Sequence, residues 1–61
     1  MTIKIHDIVR IKERREVEPL MFIDEGTVGE VIDVTCPDYA RVKVGYKTFW
    51  IDMKYLDRIN N

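Results

Sequence analysis

From Ile3 to Lys12 the chain alternates: Ile3, Ile5, Val9 and Ile11 fall on one side with Asp7, and Lys4, His6, Arg10 and Lys12 on the other with Ile8. A period of two predicts a strand, in two pieces broken near His6-Asp7. Val28 to Val34 is apolar at Val28, Val31, Ile32 and Val34, which fits neither alternation nor a helix; a bulge at Gly29-Glu30 restores Val28 and Val31 to one face. Thr35 to Ala40, with Pro-Asp in its middle, reads as a hairpin turn. Arg41 to Tyr46 then alternates, with Val42, Val44 and Tyr46 inward and Arg41, Lys43 and Gly45 outward. Gly45 to Lys47 turns or bends the chain into Thr48 to Ile51, where Phe49 and Ile51 share one face and Thr48 and Trp50 the other. Asp52 is placed to cap a single 3₁₀ turn, Met53 to Leu56, before a last short strand at Asp57-Arg58-Ile59.

Between the first two strands the pattern fails. Glu13 to Glu18 is a run of charges, and Pro19 then forbids both a ladder position and a helix interior. Leu20, Met21, Phe22 and Ile23 follow, and four adjacent apolar side chains cannot all point the same way in an extended segment. The stretch is expected to be a long loop with two possible roles. Either Ile23 and one of Leu20 or Phe22 plug the end of the fold as a lid, or the others stay exposed as a partner-binding patch.

The pattern predicts an all-β chain, a five-stranded small barrel with a long first loop and one 3₁₀ turn before the last strand. The expected core is Val9, Ile11, Val28, Val31, Val42, Val44, Phe49, Ile51 and Leu56. Sixty-one residues make one domain, 1–61, with a thin core, and the single cysteine, Cys36, permits no internal disulfide. So small a domain gains from a partner chain, and a homo-oligomer is one possibility. No basic start followed by an apolar run of seven or more residues is present, which reads as a soluble, cytoplasmic chain without a membrane partner.

The opening Asp7-Ile8-Val9-Arg10-Ile11, followed by Gly26-Thr27-Val28-Gly29-Glu30-Val31, resembles the KOW-type pattern of SH3-like small β-barrels, and the order of features from Asp7 to Ile59 is similar to that fold. The resemblance implies a binding module. The end of the chain, Leu56-Asp57-Arg58-Ile59-Asn60, also resembles the plasmid-type dihydrofolate reductases, which share the SH3-like fold and build an active-site pore from a Val-Gln-Ile-Tyr stretch. The corresponding residues here are Thr48-Phe49-Trp50-Ile51, so the pore does not carry over.

Chemistry is sparse. The chain has no Ser and no Gln, one His and one Cys, which leaves few ways to assemble a nucleophile, a base and an orienting group. No enzyme activity and no cofactor are expected, and His6 with Cys36 lacks the spacing of a four-ligand zinc site. The leading expectation is a protein-interaction module, a small regulator or assembly subunit, whose contact surface is Leu20, Met21 and Phe22 together with Trp50 and Tyr55. Trp50 alternates with the two inward residues beside it and so lies on the outer face of its strand or at the barrel rim, either open to a partner or packed under the long loop against Met21 or Phe22. Tyr39 and Tyr55 would extend it into a platform for a proline-rich or extended peptide. The alternative is a nucleic-acid partner, with Arg10, Lys12, Arg41 and Lys43 on phosphates and Tyr39 or Trp50 stacking on bases. Ten basic against eleven acidic residues weigh against it, unless the basic strand faces adjoin.

Overall fold

A computed structural model describes residues 3–60. Seven strands and one 3₁₀ turn make up the regular structure of the described residues: β1 (Ile8–Ile11), β2 (Arg15–Glu18), β3 (Met21–Ile23), β4 (Val28–Thr35), β5 (Tyr39–Val44), β6 (Lys47–Asp52), the 3₁₀ turn Met53–Tyr55, and β7 (Leu56–Arg58). The chain is all-β, as the alternation predicts. Five strands form one antiparallel sheet in the order β6-β5-β4-β1-β7, and β2 with β3 forms a separate hairpin. No helix among the described residues is long and apolar enough to cross a membrane.

Two expectations about the architecture are corrected. The five-stranded sheet does not close into a barrel, because β6 and β7 are its two edges and do not pair. The chain leaving β6 spends its backbone groups elsewhere: Met53 N donates to Asp38 O at 2.8 Å, and Tyr55 O accepts from Lys12 N at 2.8 Å. The long first loop is itself structured. Arg15 and Val17 are half-buried while Glu16 and Glu18 face out, so the charge run is a strand that pairs with β3. Pro19 and Leu20 make its tip, with Leu20 at φ 62 and its N–H donating to Glu16 Oε2 at 3.1 Å.

The core is Ile3, Val9, Ile11, Val31, Ala40, Val42, Phe49, Ile51 and Leu56, with Val17, Ile23, Val44, Met53 and Tyr55 packed against it. Burying each large aliphatic or aromatic side chain contributes roughly 1.5–3 kcal/mol. Val44 is half-buried, and Val28 is 48% exposed rather than internal. The reason lies in the register. Val28 pairs with outward-facing Arg10, and Gly29 pairs with fully buried Val9, so the inward positions of β4 are Gly29 and Val31. A Cβ on Gly29 would stand 2.6 Å from Lys43 O, 2.7 Å from Val42 Cγ1 and 2.8 Å from Val44 Cγ2. The glycine thus lets β5 close over β4. The irregularity expected at Gly29-Glu30 falls later, between Val31 and Asp33, with Ile32 the extra residue opposite Val42 and Arg41.

The β5–β6 turn is Gly45-Tyr46, with Gly45 at φ 64 and Tyr46 90% exposed instead of inward. Asp52 caps the 3₁₀ turn, its Oδ1 accepting from Lys54 N at 3.0 Å. Asp7, on the apolar side of the first strand, is the buried polar residue of the core region. Its Oδ2 accepts from Lys4 N at 2.8 Å and lies 4.0 Å from Arg58 Nη1, as a buried carboxylate requires.

Candidate functional site

Outward positions of β5 and β6 are fixed by the buried ones between them. Ala40, Val42, Phe49 and Ile51 are buried, so Tyr39, Arg41 and Lys43 on β5 and Trp50 on β6 face out. The ladder places Arg41 opposite Trp50, Lys43 opposite Thr48 and Tyr39 opposite Asp52. The Arg41 guanidinium donates to Thr48 Oγ1 from Nη2 at 3.0 Å and from Nε at 3.2 Å. Capped by Asp52, the 3₁₀ turn then carries Tyr55 beside the ends of both strands.

The β2–β3 hairpin completes the site. Arg15, Glu16 and Val17 of β2 line an open groove of about 290 Å³ together with Tyr39, Trp50, Lys54 and Tyr55. Trp50 and Tyr39 are each 41% exposed. The Arg15 guanidinium carbon lies 4.1 Å from the centroid of the Tyr55 ring, a cation–π contact that ties the hairpin to the 3₁₀ turn, and Lys54 Nζ, within the turn itself, lies 5.2 Å from the same centroid. Both acidic residues of the groove serve backbone amides, Asp52 that of Lys54 and Glu16 that of Leu20.

Trp50, Tyr55 and Tyr39, expected to form one platform, all line the groove. Leu20, Met21 and Phe22 do not line the groove. Within the hairpin, Ile23 and Val17 pack against the core, Met21 is half-buried, and Leu20 and Phe22 are exposed by 91% and 47%. The Arg14 guanidinium covers Phe22 at 4.5 Å and pairs with Asp24 at 3.1 Å.

The basic residues are split. Arg10 and Lys12 both approach Asp57, at 3.5 and 3.7 Å. Arg41 and Lys43 lie two strands away, and β4 between them sets Asp33 opposite Arg41 and Glu30 opposite Lys43. The sheet therefore interrupts a continuous positive stripe with carboxylates. His6 Nδ1 lies 3.3 Å from Glu30 Oε2, and Cys36 is exposed.

Sequence reasoning missed Arg15, Glu16 and Val17, hidden in a segment dominated by charge. The signal was the single valine: Arg15, Val17 and the apolar β3 residues share a two-residue period that marks a half-buried hairpin. A larger cavity, about 560 Å³, opens near Ile3, Met53 and Leu56 and is rimmed by Asp and basic side chains, without an aromatic. Compared with protein-family models, curated proteins and solved structures, the chain matches none of them.

Proposed function

We propose that the chain is an SH3-like interaction domain that binds an extended segment of a partner protein in the groove between the β2–β3 hairpin and the β6–3₁₀ corner. The strand order β7-β1-β4-β5-β6, with a hairpin in the long first connection and one 3₁₀ turn before the last strand, supports the SH3-like reading. One observation carries the functional reading: Tyr39, Trp50 and Tyr55, from three separate elements, converge on a single open groove. Aromatic side chains suit an extended or proline-rich backbone, because each offers a ring face and, at the Tyr O–H or Trp N–H, a hydrogen-bonding edge. Leu20 and Phe22 on the hairpin add an exposed apolar surface that enlarges the contact with a folded partner.

The test is Trp50→Ala. Peptides selected against the wild-type chain from a random phage-displayed library should lose binding to the variant, while its far-UV dichroism and cooperative unfolding are retained. Undiminished binding to a folded Trp50→Ala chain would reject the groove.

A second reading, nucleic-acid binding, draws support from Arg41, Lys43, Tyr39 and Trp50 on one outer face. It requires affinity for single-stranded oligonucleotides that falls steeply with salt and flattens in Arg41→Ala with Lys43→Ala.

A further inference from the structure

Accepting the groove as a peptide site, we infer that its occupant is an acidic extended segment: an Asp or Glu side chain bound by Arg15 and Lys54, next to a proline or other apolar residue on Trp50 and Tyr39. The charges flanking the groove are unequal in what they are free to do. Arg10, Lys12, Arg14 and Arg58 each pair with a carboxylate of the chain, but Arg15 and Lys54 form no such pair among the described residues. Each of the groove's own carboxylates keeps its charge but already accepts one backbone amide, Glu16 that of Leu20 and Asp52 that of Lys54, which uses part of its acceptor capacity. Arg15 and Lys54, with no carboxylate partner among the described residues, have their N–H donors open to a ligand carboxylate.

Arg15 is also held in place. Its guanidinium carbon lies over the Tyr55 ring, 4.1 Å from the centroid, a contact that leaves the N–H donors of a guanidinium free for a carboxylate. Lys54 adds a second charge from the 3₁₀ turn, 5.2 Å from the same ring. With two cations already against Tyr55, a nucleobase has less room to stack there. Glu30 and Asp33 on β4 further disfavour a long phosphate track across the sheet. A single peptide carboxylate needs neither a free ring face nor a track.

The experiment is selection of a random dodecapeptide phage library on the full chain and on Trp50→Ala, Arg15→Gln and Lys54→Glu, with oligo-dT as a parallel probe. Wild-type selection should enrich Asp and Glu and deplete Lys and Arg relative to the starting library. In a synthetic copy of the best peptide, Glu→Gln should weaken binding roughly tenfold, as loss of a charged hydrogen bond implies. Arg15→Gln should bind the Glu and Gln peptides alike, and Lys54→Glu should shift enrichment toward Lys and Arg. Peptides without acidic preference that still require Trp50 would overturn the acidic inference and leave the groove standing. Peptides that bind Trp50→Ala as well as wild type, or a chain that takes oligo-dT and selects no peptide, would overturn both.

Discussion

Gly29→Ala tests the packing on which the sheet rests. Its φ is ordinary for any residue, so the penalty is purely steric: a methyl group 2.6 Å from Lys43 O and 2.7 and 2.8 Å from the Val42 and Val44 methyls. The valines can move slightly, but Lys43 O belongs to the β5 backbone and moves only with the strand. Overpacking of this kind costs about 1–3 kcal/mol. A domain of this size has a total stability of roughly 3–9 kcal/mol, so the loss is a substantial fraction of it. Urea unfolding followed by Trp50 fluorescence reads the change; with a slope of ~1 kcal/mol/M the midpoint should fall by about 1–3 M. Gly45 is the control, since its φ is 64 and a Cβ there meets nothing within 4 Å. Asparagine, which tolerates the left-handed region, should therefore be nearly neutral at 45 and as damaging as alanine or worse at 29. A Gly29→Ala midpoint within ~0.3 M of wild type would refute the close approach of β4 and β5.

Asp7→Ala should cost about 1–3 kcal/mol by stranding the Lys4 amide and Arg58, seen as a fall in melting temperature of roughly 4–8 °C per kcal/mol. Ile23→Lys should unfold the hairpin, whereas Leu20→Lys should leave stability within ~0.5 kcal/mol, both measured by the same urea titration. Leu20→Gly should raise stability by about 1 kcal/mol, because a leucine at φ 62 carries the left-handed penalty and its side chain is almost wholly exposed.

Alternation made much of the fold legible. Arg41 to Val44 and Phe49 to Ile51 alternate cleanly because one face is buried and the other wet, and the outward placement of Trp50 followed from that. The cap at Asp52 was legible because an acidic residue before a short turn has a specific amide to accept from. Val28 misled because Gly29 takes the inward position without a side chain to register there; only the tertiary approach of β5 explains the glycine. The hairpin was obscured since its strands are short and its outward residues charged, leaving Val17 and Ile23 as the only strong marks of a buried side. For the candidate site, the sequence pointed to the three aromatics as one platform but not to the β2 residues that line the groove with them, which depends on β6, the 3₁₀ turn and the hairpin meeting at one corner. Arg15 stacking on Tyr55, 40 residues apart in sequence, is a tertiary fact with no local signal.

Amide chemical-shift mapping of the ¹⁵N-labelled chain titrated with a library-selected peptide tests the groove most directly. Perturbations are expected at Arg15 to Val17, Tyr39, Ile51 to Tyr55 and the Trp50 indole N–H. Perturbations confined to Arg10, Lys12 and Asp57, or to the hairpin tip at Leu20, with the Trp50 indole unmoved, would contradict the groove as the binding site.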